Sequence, residues 1–305
     1  MRTIRIATRK SELALWQAKH VAGLLRDRHA ELQVELLPMV TRGDVILDQP
    51  LARIGGKGLF LKELERALLD GEADIAVHSM KDVPVEEASG LVVDVMLERA
   101  NPFDAWVSRA GETLAEMAAG SRVGTSSLRR QCQLRSLRPD LEVRDLRGNV
   151  NTRLRKLDEG EYDAIVLACA GLERLGMHSR ITEVLRPPRW LPASTQGTIG
   201  VQRRADDPAV QVLLAVLNDH DATLRSRAER KVAAALQGSC QVPLAVYAEQ
   251  QDATFRIDAL IGMPDGSRLL RSCAKGMAAE ADTLAERVAA DLLEQGADEI
   301  VRSLA

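Results

Sequence analysis

Residues 121–153 read SRVGTSSLRRQCQLRSLRPDLEVRDLRGNVNTR and carry eight arginines and no lysine. Arginine presents a planar fork of two donors to a carboxylate or phosphate, where lysine presents a hydrated point charge. Gly124-Thr125-Ser126-Ser127 follows a short apolar piece and leads into a helical pattern. A small-residue turn at a helix N-terminus aims backbone N–H groups and hydroxyls at an anion. Arg129 and Arg130 fall in the next turn, and Arg147 and Arg153 flank a second one, Gly148-Asn149-Val150-Asn151. The stretch therefore reads as two strand–turn–helix units of an α/β domain, with both turns converging on a ligand rich in negative charge. An ordinary solvated basic face is the alternative that the same residues allow.

The rest of the chain gives this cluster its meaning. Across 305 residues the net charge is −3, so the basic character is local. A broad basic stripe and aromatic stacking platforms are the marks of nucleic-acid binding; with aromatics at 3% the chain shows neither, and no nucleic-acid partner is expected. Hydrophobic content of 46% and charged content of 28% fit a globular protein of two or three domains. The N-terminal MRTIRIATRKS has no signal-like apolar run, and no run of about 18 apolar residues occurs, so no membrane partner is expected. Cys132, Cys169, Cys240 and Cys273 are widely spaced with no CxxC pair, which indicates neither a disulfide framework nor a metal site. A reducing cytoplasm is the expected home.

Outward from the arginines, strands and helices alternate. Arg2 to Ala7 has strand alternation, and Ser11 is placed to cap a helix to about Arg28 with Leu13, Trp16, Val21, Leu24 and Leu25 on its buried side. Gln33 to Met39 reads as a second strand, followed by the glycine-rich loop Thr41-Arg42-Gly43-Asp44 to Gly55-Gly56-Lys57-Gly58, a poor match to a P-loop. Phe60 to Asp70 reads as a helix stopped by Gly71, and Ala73 to Val77 as a buried strand running into His78-Ser79-Met80-Lys81-Asp82-Val83-Pro84. In open α/β sheets ligand residues gather at the carboxyl ends of strands, which is where this polar cluster falls. A strand over Leu91 to Leu97 and a break at Asn101-Pro102 precede the arginine units; a buried strand over Tyr162 to Ala168 follows them. Residues 187–197 read as a segment crossing back to the first domain. Helices are expected over about 208–218 and 221–236, then strands near 242–248, 254–261 and 268–274 and a helix near 280–295. The pattern predicts two α/β domains and one small α+β domain: 1–98 with 199–217, 99–198, and 218–305.

Three residues invite chemical roles. Asp82, behind a buried strand and beside Lys81 and a proline-fixed turn, suits a general acid or base, and equally a turn aspartate bonding its own backbone. His78 reads as a packed strand-end histidine. Cys240, in the tight loop Leu236-Gln237-Gly238-Ser239-Cys240-Gln241-Val242-Pro243 between a helix and a strand, suits a nucleophilic thiol, with no histidine nearby in sequence to form a dyad. Cys132, in an amphipathic helix, and Cys169, in an apolar strand, read as structural.

Together these pieces resemble the hydroxymethylbilane synthase, or porphobilinogen deaminase, family. The resemblance runs through IATRKSELALWQA (6–18), VTRGD (40–44), GGKGLF (55–60), DIAVHSMKDVP (74–84), VGTSSLRRQCQL (123–134), LRGNVNTRL (146–154), YDAIVLACAGLERLG (162–176) and GSCQVP (238–243). It implies two domains like those of type II periplasmic binding proteins, with a third domain carrying a cysteine. It implies an enzyme that condenses four porphobilinogen molecules with loss of ammonia and then hydrolyses off hydroxymethylbilane. A dipyrromethane cofactor is implied, tied by a thioether to Cys240. By the same resemblance, Ser79, Lys81, Thr125, Ser127, Arg129 and Arg130 hold cofactor carboxylates. Arg9, Ser11, Arg147, Arg153 and Arg174 hold incoming substrate, Asp82 is the catalytic carboxylate facing the pyrrole nitrogens, and a monomer is expected. Departures from the family pattern are Asn151, Ser239, Arg53, the run Ser194-Thr195-Gln196-Gly197-Thr198, and Val201-Gln202. They bear on hinge behaviour and turnover speed more than on the reaction.

Three rivals share parts of this pattern. A periplasmic anion-binding module or a LysR-like effector domain would have the two-domain architecture, and a phosphate-handling transferase would use the glycine-rich loop. None of them calls for the cysteine-bearing third domain, and a binding module would carry no covalent adduct.

Overall fold

A computed structural model describes residues 2–41, 43, 61–237 and 242–304. The described residues divide into two compact units, the first formed by 2–41, 43, 61–100 and 197–223, the second by 101–196, 224–237 and 242–304.

The first unit begins with β1 (Arg2–Arg9), α1 (Glu12–Arg28), β2 (Leu32–Met39), α2 (Lys62–Leu69), β3 (Ile75–Ser79) and β4 (Leu91–Met96). After β5 (Asp104–Ser108) to β9 (Glu183–Leu185) of the second unit, β10 (Ile199–Arg204) returns to it, followed by α6 (Pro208–Ala215). The sheet order is β2-β1-β3-β10-β4, with β10 antiparallel to both its neighbours. Strand alternation decides which helices cover which face. Ile4 and Ile6 of β1 pack with Val21 and Leu25 of α1 and Val210 and Leu214 of α6. Ala7, one residue along, faces the other way and packs with Leu64 and Leu68 of α2. Each fully buried Leu or Ile contributes about 1.5–3 kcal/mol, so both faces are anchored by the same few strands.

The second unit repeats this arrangement with β6 (Arg122–Gly124), α3 (Leu128–Leu137), β7 (Glu142–Arg144), α4 (Val150–Asp158), β8 (Ala164–Ala168) and α5 (Cys169–Arg174). Its order, β7-β6-β8-β5-β9, matches the first sheet position for position, and β5 takes the antiparallel place that β10 holds there. Leu134 of α3 packs with Trp106, Val123 and Trp190 on one face, while Leu154, Leu157 and Leu172 pack with Val107 and Ile165 on the other. The α/β architecture expected from sequence is present in both units.

After α7 (His220–Ala235) come β11 (Leu244–Gln251), β12 (Thr254–Gly262) and β13 (Leu269–Met277), an antiparallel sheet closed by α8 (Ala281–Glu294) and α9 (Ala297–Ser303). Val246, Phe255, Ile257 and Ile261 face Val232, Leu284, Val288 and Leu292. Its opposite face packs Ala245, Tyr247 and Leu260 on Cys132 and Leu191. This third sheet belongs to the same compact unit as the arginine-rich one.

Several boundaries differ from the sequence reading. The strand expected from Ala73 begins at Ile75 and extends through His78 to Ser79, and that expected from Tyr162 begins at Ala164. Cys169 opens a helix where an apolar strand was expected, because the apolar run Ala164–Ala170 continues unbroken from strand into helix and carries no turn residue to mark the change. β5, β9 and β10 are strands that the periodicity does not announce. They are short or mixed in polarity, and Gln202 and Arg203 of β10 are polar yet buried.

Candidate active site

In the first unit, β1 and β3 are parallel neighbours, with Ile6 beside Ile75 and Ala7 beside Ala76, so their carboxyl ends lie together. Arg9 ends β1 and Ser79 ends β3. Ser11 caps α1, its Oγ accepting from the Ala14 N–H at 3.4 Å. A short 3-10 turn, Met80–Asp82, follows β3 and carries Lys81 and Asp82, both half-buried. Arg9, Ser11, Gln17, His78, Ser79 and Asp82 line one pocket. Gln17, which the sequence did not single out, donates from Nε2 to Ser79 Oγ at 2.8 Å. Its place on the buried side of α1, among apolar neighbours, was the available signal. His78 is 6% exposed and pairs through Nε2 with Gln202 Oε1 at 2.9 Å. Burial pushes its pKa down to about 4, against smaller upward pulls from the Gln202 bond and the Asp82 carboxylate. It is the packed strand-end histidine expected from sequence, and it also faces the pocket.

In the second unit, β6 and β7 run parallel with Gly124 beside Arg144, so the two expected turns leave the same edge of the sheet. They are clasped together. Ser126 Oγ donates to the Leu146 carbonyl and accepts from the Leu146 N–H, each at 3.0 Å. Gln131 Nε2 reaches the Thr125 carbonyl at 2.9 Å and Asp145 Oδ1 at 3.2 Å. Gly124 has no room for a side chain, since a Cβ would stand 2.8 Å from Tyr162 and 2.9 Å from Leu146. Asn149 caps α4 by accepting from the Thr152 N–H at 2.9 Å. Arg153 Nε donates to the Gly148 carbonyl at 2.8 Å, tying the second turn to its own helix. Thr125 is buried, while Ser127, Arg147, Arg153 and Arg174 are half-buried. Burial lowers the pKa of Arg147, and lowers that of Arg174 on α5 to about 10, with Glu173 opposing. Both stay charged at neutral pH.

Arg129 and Arg130 are the surprise. They are each only 5% exposed, which removes the solvated-face alternative for this pair. Both forks converge on the fully buried carboxylate of Asp104, Arg129 Nη1 at 2.7 Å from Oδ2 and Arg130 Nη2 at 2.7 Å from Oδ1. Burial would raise the Asp104 pKa, but the two guanidiniums outweigh it and hold the carboxyl well below the usual range. Sequence reasoning missed Asp104, because its partners lie more than twenty residues away.

Cys240 lies outside the described residues. Burial pushes the thiols of Cys132 and Cys169 up to about 12, with smaller opposing effects from nearby arginines, so both stay protonated and structural. Cys273 is exposed on β13. Among the described residues no group of three or more His, Cys, Asp or Glu could hold a metal, and no helix is long and apolar enough to cross a membrane.

Among solved structures, the periplasmic VFT2 domain of Bordetella pertussis BvgS is similar at 16% identity and a TM-score of 0.45, over 72% of this chain and 90% of that one. The probable amino-acid ABC transporter extracellular-binding protein ytmK of Bacillus subtilis is similar at 13% identity and a TM-score of 0.44, over 70% and 89%. The family model for the porphobilinogen deaminase dipyrromethane cofactor binding domain matches residues 4–212, and that for the porphobilinogen deaminase C-terminal domain matches 223–294. With nearly its whole length covered by these two models, the chain belongs to the porphobilinogen deaminase family, the hydroxymethylbilane synthases, which are transferases of tetrapyrrole synthesis.

Proposed function

We propose that this chain carries its dipyrromethane cofactor covalently on Cys240 and builds hydroxymethylbilane on it from porphobilinogen, with Asp82 as the catalytic residue. Ser79 and Lys81 of the first unit, and Thr125, Ser127, Arg129 and Arg130 of the second, are the residues that would hold cofactor carboxylates. Arg9, Ser11, Arg147, Arg153 and Arg174 would hold the incoming substrate. The observation that carries this reading is the donor chemistry at the carboxyl ends of the parallel strands. Arginine forks and hydroxyls are gathered there, and the turns bearing them are clasped through Ser126. A pyrrole bearing acetate and propionate groups is what such a set of donors suits.

When bound, the cofactor supplies the electron-rich pyrrole carbon at which the chain grows, and its thioether keeps the growing chain on the protein. The residues do the rest. Arginine forks orient carboxylates and hold the reacting ring in place, which converts a bimolecular encounter into a positioned one. As ammonia leaves porphobilinogen, positive charge develops on its pyrrole nitrogen. A half-buried carboxylate at Asp82, fixed in its 3-10 turn between Lys81 and Pro84, is suited to stabilise that charge and to accept or return the N–H proton. His78, neutral beside it, adds no competing positive charge. A covalent anchor spares each intermediate from dissociating and rebinding.

The three sheets, with the C-terminal family match starting at residue 223, support assigning three domains: 1–98 with 199–217, 99–198 and 218–305. A cytoplasmic monomer completes the proposal. Intact-protein mass spectrometry tests its centre. The purified protein should exceed its sequence mass by two pyrrole units, located by digestion on the peptide holding Cys240, and Cys240→Ser should lose both the excess and activity. Active protein with an unmodified Cys240 would refute the covalent tether.

A further inference from the structure

Asp104 opens β5, pairs across to Ala168 and Leu185 on the strands at either side, and has no exposed surface. Its Oδ2 accepts from Arg129 Nη1 and from Trp190 Nε1, both at 2.7 Å. Its Oδ1 accepts from Arg130 Nη2 at 2.7 Å and Nε at 3.2 Å, from Gln196 Nε2 at 3.0 Å, and more weakly from Arg129 Nη2 at 3.4 Å. The guanidiniums are also held from behind, Arg129 Nη1 by the Leu191 carbonyl at 2.9 Å and Arg130 Nη1 by the Val166 carbonyl at 2.7 Å.

Such a cluster is a poor device for stability. Buried ion pairs seldom outperform apolar side chains of equal volume, because desolvation offsets the attraction. What this one secures is geometry and charge. A guanidinium is planar, so fixing two of its edges fixes the direction of its remaining N–H bonds. Two cations sharing one anion leave one net positive charge in a dry environment, where a charge acts more strongly than in water.

We propose that Asp104 is a positioning residue: its carboxylate sets the planes of Arg129 and Arg130 and reduces their joint charge to one, so that the pair addresses a single carboxylate of the cofactor. The inference rests on the proposed reading of those arginines as cofactor-holding. Trp190 and Gln196 extend the clamp to the segment after β9, where Leu191 exchanges hydrogen bonds with Gln133, N–H to Oε1 at 2.8 Å and Nε2 to carbonyl at 3.0 Å. The aim of the two forks is thus set by residues far apart in sequence.

The test uses full-length apo protein incubated with porphobilinogen, comparing wild type, Asp104→Asn, Asp104→Ala, Arg129→Lys and Arg130→Lys well below each melting midpoint. Intact mass gives the rate at which the two-pyrrole adduct forms; circular dichroism gives the folded fraction; turnover and KM are expressed per adduct-bearing molecule. Asp104→Asn nearly keeps the shape and removes the charge. Misaimed charge-assisted contacts cost a factor of roughly ten to a hundred. Adduct formation and turnover per adduct should each fall at least about tenfold, with KM within about threefold. Formate should restore adduct formation in folded Asp104→Ala, and equal chloride should not; this arm decides the matter should the Asn variant fail to fold. If folded Asp104→Asn, or folded Asp104→Ala without formate, forms adduct and turns over at wild-type rates while the lysine variants do not, Asp104 is structural only and the proposal is overturned. If the lysine variants also behave as wild type, it is the reading of the arginines that fails, and the role of Asp104 with it.

Discussion

Lowering the pH should destabilise this protein in part through His78, and the size of that part follows from its surroundings. An unfolded histidine titrates near 6.5, whereas burial of His78 on β3, beside Gln202 of β10, brings its folded value down to about 4. The groups facing it are Gln202, Asp82 and Arg9. Gln202 Nε2 points to Glu65 Oε1 at 3.4 Å, which leaves Gln202 Oε1 to accept from His78 Nε2–H and selects that tautomer. Because the folded pKa is depressed, the unfolded state takes up the proton first. The contribution is therefore fully present above about pH 6.5 and is lost as pH falls towards 4. Linkage puts the loss at about 2 kcal/mol by pH 5 and about 3 kcal/mol by pH 4. Urea unfolding of wild type and His78→Gln at pH 7.5, 6 and 5 would show it, since the variant should lack this part of the slope. Imidazole NMR, with His78 assigned by its absence in the variant, should show the Nε2–H tautomer persisting to pH 5. A midpoint for His78 above 6, or parallel pH slopes for the two proteins, would refute the reasoning.

Two further expectations concern the site. Gly148 has φ +115, and a Cβ there would stand 2.7 Å from Thr152 Cγ2. Gly148→Ala should therefore cost about 1–3 kcal/mol by strain and weaken substrate binding through Arg147 and Arg153, measured as a lower melting point with a raised KM. Asp82→Asn keeps the shape of the turn and removes the charge, so turnover should fall by orders of magnitude with the circular dichroism spectrum unchanged; normal turnover would move the catalytic role elsewhere.

Local chemistry was enough for much of this molecule. Helix α1 was legible because Ser11 is a capping residue and the apolar positions recur at helical spacing. The paired turns at Gly124 and Gly148 were legible because small residues, a helix N-cap and arginines fall together. The sheet strands with clean alternation or short apolar runs were found within a few residues. What stayed hidden depends on partners distant in sequence. β10 is a central strand whose polar Gln202 and Arg203 are buried because His78 and Asp94 meet them there, and no periodicity could announce that. Asp104 looked like any residue after a chain break, yet Arg129, Arg130, Trp190 and Gln196 all turn inward to it. The sequence alone determined that a concentration of arginine forks exists and which turns display it. Only the tertiary structure decided which forks already hold a carboxylate of the protein's own, because a buried charge is settled by whatever counter-charge the fold brings within hydrogen-bonding distance.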